Sequence, residues 1–254
     1  MLIPSLNEER NISDVIQLLK QLGYDNILVI DGKSSDRTVE TAKDLGANVI
    51  IQNGNGKGAA LREAFEHADS DFVVIMDADG SMNPKEIPLL IEGLSSGADV
   101  VKGSRFLHSG HSYDMTLIRR IGNQLFILLV NWFWSADYTD LCYGFGAFRK
   151  DAIRKLSPHL KSTNFEIETE VFIKAKKLGL KVAETPSVEL RRGHGKSNLH
   201  SLRDGLSILR TILKELVNDP SNLHGGKSQI GRSSLDFINF PKRQKSLEDQ
   251  SSSN

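Results

Sequence analysis

Short apolar runs alternate with helix-period segments over the first hundred or so positions. The runs are Met1–Pro4, Asn26–Asp31, Asn48–Ile51, Phe72–Met76 and Asp99–Gly103. They are rich in Val and Ile and lack the polar alternation of a half-exposed strand, which is the pattern of strands buried on both faces. Between them, Ile12, Val15, Ile16, Leu19 and Leu22 follow i, i+3, i+4, i+7 spacing and stop at Gly23. Further helices are predicted over Asp36–Leu45, stopped by Gly46, and over Ala59–Ala68 after a Gly-rich loop. Strand–helix alternation with short connections implies an α/β fold: a mostly parallel, twisted, doubly wound sheet flanked by helices. The first run is only about three residues long before Pro4, so either the strand is short or residues precede it.

Past residue 105 the pattern changes. A polar loop, His108 to Asp114, leads into a long helical segment, Met115 to about Trp134. A strand-like Gly144–Arg149, a helix-like Phe165–Leu178, a strand-like Lys181–Val188 and an amphipathic helix Leu199–Val217 follow. From Asp219 the chain is dominated by Ser, Asn, Gln, Gly and charges. The prediction is therefore one domain over 1–218, with halves at 1–105 and 106–218, and a disordered tail at 219–254.

Composition narrows the function classes. Lys plus Arg equals Asp plus Glu at 32 each, so no global field recruits nucleic acid; the one short basic stretch is Arg191 to Lys196. The single Cys142 fits a reducing, cytoplasmic compartment. No secretory signal is visible at the N-terminus. The longest apolar run, Leu125 to Trp134, is about half the ~20 residues that a membrane-crossing helix needs. Peripheral contact with the cytoplasmic membrane face stays open, because Leu117, Ile121, Leu125, Leu128 and Leu129 share a helix face beside Phe126, Trp132, Phe133 and Trp134. Core packing is the alternative for that helix and for Leu199–Val217. Nothing in the pattern specifies an oligomeric state.

In open parallel sheets, ligands bind at the carboxyl ends of the strands. The residues after each run form a coherent polar set: Ser5, Asn7 and Glu8; Asp31; Asn53-Gly-Asn-Gly-Lys57-Gly; and Asp77-Ala-Asp79-Gly-Ser81. Two carboxylates two residues apart, on a turn leaving a buried strand, suit one hard cation. Mg²⁺ is typically held by one or two carboxylates plus substrate phosphates. A calcium EF-hand is excluded by Met82 and Pro88 at the positions of its Gly and Glu. A P-loop is excluded because Gly58 follows Lys57 in place of Ser or Thr. Lys57 at a predicted helix N-terminus still suits an anion.

With these elements placed, the chain resembles the family 2 glycosyltransferases of the GT-A fold, nearest to the polyprenyl- or dolichol-phosphate mannose and glucose synthase group. The matching segments are Ile3-Pro-Ser-Leu-Asn-Glu-Glu9, Val29-Ile-Asp-Gly-Lys-Ser-Ser-Asp-Arg-Thr38, Gly56-Lys-Gly-Ala-Ala-Leu-Arg62 and Met76-Asp-Ala-Asp-Gly80. Gly103-Ser-Arg-Phe106, Phe165-Glu-Ile-Glu168 and Arg192-Gly-His-Gly-Lys-Ser-Asn-Leu199 complete the series in the family's order. The resemblance implies a single GT-A (Rossmann-like) domain and inverting transfer of a hexose from a nucleotide-diphosphate sugar, such as GDP-mannose or UDP-glucose. Pro4, Leu6, Glu8 and Asp31 would hold base and ribose, with Lys57 and Ala78 also against the donor. Asp77 and Asp79 would bind Mg²⁺ or Mn²⁺. Arg192, with Ser197 on the same loop, would close over the diphosphate. Glu168 would face the sugar and the metal region, and Arg119, Arg120, Asn123 and Tyr143 would meet the acceptor.

Two departures stand out. The family's Asp-Asp before Gly-Ser reads Asp31-Gly32-Lys33-Ser34, and its Thr-Ser-Gly-Phe-Arg segment reads Leu141-Cys-Tyr-Gly-Phe-Gly146. An arginine that would grip an acceptor phosphate is thus Gly146, with Arg149 or Arg119 as substitutes. A phosphate acceptor, polyprenyl or dolichyl phosphate, needs no general base, whereas a soluble hydroxyl acceptor needs a carboxylate; Asp140 is the first candidate and Glu168 the second. A nucleotidyltransferase and a non-catalytic nucleotide-sugar-binding module are the rival classes.

Overall fold

The apolar runs become strands of one seven-stranded sheet in the computed structural model, which describes residues 1–195 and 199–218. The first half contributes β1 (Leu2–Ser5), α1 (Ile12–Gln21), β2 (Leu28–Asp31), α2 (Thr38–Asp44), β3 (Asn48–Ile51), α3 (Lys57–Glu66), β4 (Phe72–Ile75), α4 (Ile87–Ser95) and β5 (Val100–Ser104). The second contributes β6 (His111–Ser112), α5 (Leu117–Trp134), β7 (Gly146–Arg149), α6 (Lys150–Leu156), α7 (Ile167–Lys177), β8 (Val182–Pro186), β9 (Val188–Glu189) and α8 (Ser201–Val217). The tail predicted at 219–254 lies outside the described residues.

The strand order is β3-β2-β1-β4-β7-β5-β8, parallel except for β7, with β6 and β9 pairing separately. The two sequence halves share this sheet, because β7 inserts between β4 and β5. Successive side chains alternate between faces. Leu2, Ile30, Val73, Ile75, Val100 and Phe148 pack under α3, α5, α6, α7 and α8. Ile3, Val29, Val74, Met76, Val101 and Ala147 pack under α1 and α4. Double-sided burial explains why the runs read as continuous apolar stretches.

Two features of the ladder shape one edge. β1 pairs with β2 along its whole length, Leu2↔Leu28 to Ser5↔Asp31, but with β4 only at Leu2↔Ile75. Pro4 has no N–H to offer β4, so the two strands part there. This is also where the chain order reverses across the sheet, the position at which such folds open a crevice. The antiparallel β7 runs Gly146↔Ile75 to Phe72↔Arg149. The loop before it therefore shares the carboxyl edge of β4, while Arg149 lies at the opposite edge. There Arg149 donates to the Ala98 carbonyl (2.9 Å) and to the Leu94 carbonyl, so it is no substitute for an acceptor-gripping arginine.

The N-terminus of α3 is docked on the 162–164 loop. Gly58 N and Ala59 N donate to the Thr163 carbonyl at 2.8 and 3.1 Å. The Gly58 and Ala59 amides are consequently occupied by protein, contrary to the expectation that helix-end amides would hold an anion; the Lys57 side chain lines the cleft with Gly56 and Ala60. Gly56 enters the helix at φ +88, and a Cβ on Gly58 would lie 2.6 Å from the Ser162 carbonyl oxygen. In most helices Gly→Ala stabilises by up to ~1 kcal/mol. Here backbone stands in the way, so Gly58→Ala is expected to lower stability by about 1–3 kcal/mol; a urea melt showing a higher midpoint would contradict this packing.

Candidate active site

A cleft of 690 Å³ occupies the gap between β1 and β4 and runs on between α5 and α8. At its sheet end, Asp77 and Asp79 line it on the turn after β4, with Ala78 buried between them. Asp79 Oδ1 accepts from Ser81 N (3.0 Å) and Ser81 Oγ (2.7 Å), and Gly80 takes the left-handed conformation (φ +76) that tightens the turn.

Each aspartate is held by one cation that reaches a second carboxylate. Lys57 Nζ donates to Asp77 Oδ2 (2.9 Å) and Glu168 Oε1 (2.7 Å). Arg192 Nη1 donates to Asp79 Oδ2 (2.9 Å), Nη2 pairs with Glu8 and Nε donates to the His194 carbonyl (2.8 Å). The backbone ties the arginine loop to the same turn: Leu190 N donates to the Ser81 carbonyl (2.7 Å) and Gly193 N to the Asp79 carbonyl (3.1 Å). Gly144 floors the lysine trio, since a Cβ there would lie 2.8 Å from both Lys57 Nζ and Glu168 Oε1.

Burial and charge compete in this trio. Burial pulls the Lys57 ammonium's pKa down, but Asp77 and Glu168 outweigh it and hold that pKa above its ordinary value. Burial, helped by Asp77, pushes the Glu168 carboxyl up against the pull of Lys57. Burial likewise raises Glu8, against Asn11 and Arg192. With all four carboxylates ionised, Glu8, Asp77, Asp79 and Glu168 exceed Lys57 and Arg192 by two negative charges.

That excess fits a divalent cation. Both donors are hard carboxylate oxygens facing the cleft, and Asp77 Oδ1, though buried and 2.7 Å from Lys57 Nζ, accepts no hydrogen bond. Among the described residues no three or more His, Cys, Asp or Glu side chains are placed to hold a metal ion together. The protein thus offers two ligands, and the remaining positions would fall to phosphate oxygens and water.

Other predicted donor contacts divide by depth. Pro4, Leu6, Glu8 and Lys57 line the cleft. Asp31 does not. It is 0% exposed and accepts from Ser34 N (2.7 Å), Ser34 Oγ (2.6 Å) and Ser5 Oγ (3.3 Å), so it braces the wall from behind Gly32. Gly32 stands where the family's second aspartate would, and Lys33, in the place of the glycine that follows it, adopts φ +68 and donates to the Asn53 carbonyl at 3.1 Å and the Gly54 carbonyl at 3.3 Å. It pins the 53–55 loop. Ser197 lies outside the described residues.

The acceptor side corrects the sequence expectations most. Asp140 is 0% exposed and does not line the cleft. It accepts from Arg105 Nε (2.7 Å), Arg105 Nη2 (3.0 Å), Asn123 Nδ2 (2.9 Å) and Cys142 N (3.2 Å). Burial alone would raise its pKa; Arg105 outweighs burial and holds it below the ordinary carboxylate value. A sealed carboxylate held ionised by an arginine is a poor general base. Asn123 is consumed by Asp140 and by Leu141 N (3.2 Å). Tyr143 and Asn123, both predicted at the acceptor, line the cleft, but Tyr143 is mostly buried, with its hydroxyl on Ser187 Oγ (3.2 Å) and its ring under the Arg105 guanidinium. Arg119 lines the cleft beside Ser201 and the Leu199 carbonyl, whereas Arg120 lies outside it over the Phe106 ring.

Arg105 is the residue without a predicted role. It joins Asp140, Glu189 (3.1 Å) and the Cys142 carbonyl (2.7 Å) and still lines the cleft. Its motif, Gly103-Ser-Arg-Phe106, is visible in the chain, but its partners are 35 to 84 residues away.

The family model of glycosyl transferase family 2 matches residues 1–157, well over half of the chain. The chain belongs to glycosyltransferase family 2. Among relatives, this glycosyltransferase is 34% identical over 223 residues to glycosyltransferase AglJ of Haloferax volcanii, covering 87% of the chain and 73% of that protein. It is 30% identical over 210 residues to a UDP-N-acetylglucosamine–dolichyl-phosphate N-acetylglucosaminyltransferase of Methanococcus voltae, covering 73% of the chain and 83% of the relative. Among solved structures, glucosyl-3-phosphoglycerate synthase of Mycobacterium tuberculosis, in complex with Mn²⁺, UDP and glucosyl-3-phosphoglycerate, superposes with a TM-score of 0.68 at 23% identity. The match covers 85% of this chain and 78% of that one, and it shows the shared GT-A fold.

Removing one partner of a buried ion pair leaves an uncompensated charge, a cost of about 3–5 kcal/mol. Asp140→Ala in the glycosyltransferase is expected to lose about 3 kcal/mol, the low end of that range, because Arg105 keeps its pairing with Glu189. Because the folded pKa of Asp140 is depressed, its stabilisation is complete above the ordinary carboxylate range and lost as pH falls through the folded value. Unfolding free energies of the two forms should therefore differ by a constant amount above about pH 5 and converge below it. A difference that grows on acidification would contradict the pairing.

Proposed function

We propose that the glycosyltransferase moves a hexose, with inversion, from a nucleoside-diphosphate sugar to a lipid-linked phosphate of the polyprenyl or dolichyl type. One observation carries this: a single cleft is acidic and cationic at the strand tips and apolar at its far end. There Ile118, Ile121 and Leu125 of α5 face Leu202, Leu206 and Leu209 of α8 across Gly122 and Gly205. The Methanococcus voltae relative, a transferase acting on dolichyl phosphate, supports the same acceptor class.

Asp77 and Asp79 would hold Mg²⁺ or Mn²⁺, which when bound neutralises charge on the departing diphosphate. Arg192 would exchange Asp79 for a diphosphate oxygen, adding preorganised positive charge where it develops. Glu8 and Pro4 would flank the nucleoside. Glu168, oriented by Lys57, would accept from sugar hydroxyls. The C1–O bond to the diphosphate breaks as an acceptor phosphate oxygen bonds C1. That oxygen is already anionic, so no base is needed, in keeping with the burial of Asp140. Arg119, at the junction of the polar and apolar ends, would face the acceptor phosphate.

A matrix of GDP-mannose, UDP-glucose and UDP-N-acetylglucosamine against polyprenyl phosphate and 3-phosphoglycerate tests this, with free nucleoside diphosphate as the readout. Transfer to polyprenyl phosphate is expected with Mn²⁺, is abolished by EDTA, and falls by about a thousandfold or more in Asp79→Ala. Transfer only to the soluble acceptor would overturn the acceptor class, and release of pyrophosphate would point to a nucleotidyltransferase.

The mid-helix glycines offer a sharper probe. A Cβ on either Gly122 or Gly205 would meet only Phe126, at 3.9 Å, so packing does not require them, although each costs about 1 kcal/mol of helix propensity. Gly205→Phe is expected to cut transfer to long-chain acceptors about tenfold while sparing short-chain ones, by filling the apolar arm; equal losses for both would sink the assignment.

A further inference from the structure

At the tips of β2 and β3 the cleft wall presents no carboxylate. Pro4, Ser5, Leu6, Gly32 and Gln52 line the cleft there. Asp31 is sealed behind that wall, and Gly32 occupies the position of the family's second aspartate. A Cβ on Gly32 would lie 3.2 Å from the Ser5 carbonyl oxygen and 3.3 Å from both Leu6 Cβ and Cδ1. Leu6 therefore sits directly over Gly32, and a side chain at position 32 fits only if Leu6 moves.

The neighbouring polar groups are already committed. Ser5 Oγ donates to Asp31 Oδ2 (3.3 Å), and Glu8 holds Asn11 Nδ2 (2.6 Å) and Arg192. Gln52 differs. It is 2% exposed, its Nε2 donates to the Gly54 carbonyl (3.2 Å), and its Oε1 is buried with no partner. The Gly54 carbonyl, itself an acceptor, fixes which end of the amide is the donor. A buried acceptor left without a partner is costly, and native proteins keep few of them. An acceptor of this kind, beside an apolar wall, is what a ligand N–H would satisfy.

The backbone around Gln52 is held from several sides. Gln52 N donates to the Asp31 carbonyl (2.9 Å), continuing the β2–β3 ladder. Lys33 Nζ bonds the Asn53 and Gly54 carbonyls, and Asn53 donates from N and Nδ2 to Glu63, both at 2.9 Å. A small turn about the side chain's terminal torsion, which is broad, is enough to bring Oε1 to an entering group. An acceptor on a backbone fixed in this way costs little further ordering when a ligand binds.

We propose that Gln52 reads the base of the donor nucleotide: its Oε1 accepts the lactam N–H, which is N3–H in uracil and N1–H in guanine, while the base lies against Pro4 and Leu6. The role rests on the nucleoside-diphosphate donor proposed above. Both bases present the same CO–NH edge, so the feature recognised is that N–H, and titration with each nucleotide separates the two. Methylating the nitrogen removes the donor and adds bulk at a buried contact.

Calorimetric titration of the full chain with Mn²⁺ present would compare UDP and GDP with N3-methyl-UDP and N1-methyl-GDP. For whichever unmodified nucleotide binds, N-methylation is expected to weaken binding about tenfold or more. Gln52→Met keeps the side chain's length and has no amide. It should weaken the unmodified nucleotide by about tenfold and bind the methylated and unmodified forms alike. Pyrophosphate with Mn²⁺, which carries no base, should bind the unaltered chain and Gln52→Met equally. That comparison separates reading of the base from damage to the fold, which would weaken both ligands.

Methylated and unmodified nucleotides binding the unaltered chain equally would overturn the role of Gln52 and leave the donor reading in place. The same holds if Gln52→Met discriminates between them as strongly as the unaltered chain. A loss of pyrophosphate binding in Gln52→Met as large as the loss for the nucleotide would make Gln52 a packing residue and overturn the proposal. Binding of neither UDP nor GDP would remove the donor reading, and the role of Gln52 with it.

Discussion

The parting of β1 from β4 after one shared register pair is the constraint on which the site depends. A proline in a central strand withholds one donor from one neighbour, and here it does so at the position where the chain order reverses. The gap admits a ligand to the sheet's carboxyl edge. Glu8, Lys57, the Asp77/Asp79 pair, Glu168 and Arg192 reach that gap from five different connections, so the sheet, and not any one loop, sets their spacing.

Within the gap the protein arranges a charge deficit. Lys57 and Arg192 each span two carboxylates, one on the Asp-Ala-Asp turn and one from a distant element. Such crossed pairs hold the site together and, with all four carboxylates ionised, leave two negative charges unmatched. A divalent cation with a diphosphate suits this arrangement better than either alone, because the cation satisfies the aspartates and the phosphates then draw the basic side chains away. Deeper down, Arg105 and Asp140 are matched against each other and sealed. The contrast separates a site built to exchange partners from one built to keep them.

The cleft's second half follows from helices with two apolar faces. An ordinary surface helix buries one apolar stripe and turns polar residues outward. α5 and α8 bury one stripe and expose another, and they do so beside the same opening. The arginine that ends the family's Thr-Ser-Gly-Phe-Arg segment is Gly146 here, where a Cβ would lie 3.0 Å from the Val101 carbonyl oxygen. With the acceptor proposed above, recognition of its phosphate would fall to side chains on α5 instead.

How much of this was legible in the chain depends on the range of the interactions involved. Double-sided apolar runs and the residues following them locate β1 to β5 and the polar edge, because strand period and turn chemistry are local properties. Asp77, Asp79, Lys57, Glu8 and Glu168 stand out for that reason, helped by motifs in a known order. α4 carries the helical spacing in Ile87, Leu90, Ile91 and Leu94 ahead of Gly97, whereas α6 spans only seven residues, too few to show a period. Asp140 and Asp31 sit at the right points along the chain and face the wrong way, while Asn123 lines the cleft with its amide spent on Asp140 and Leu141, since depth is decided by partners: Asp140 is sealed because Arg105 arrives from the end of β5, and Asp31 because Ser5 and Ser34 close over it. The sequence by itself determined the sheet, its polar edge and the paired carboxylates, all consequences of spacing within a few residues. Only the tertiary structure decided which charges are spent internally, that the amides at the start of α3 are already occupied, and which of two apolar stripes on α5 and α8 is left uncovered, because each of these is set by contacts between residues tens of positions apart.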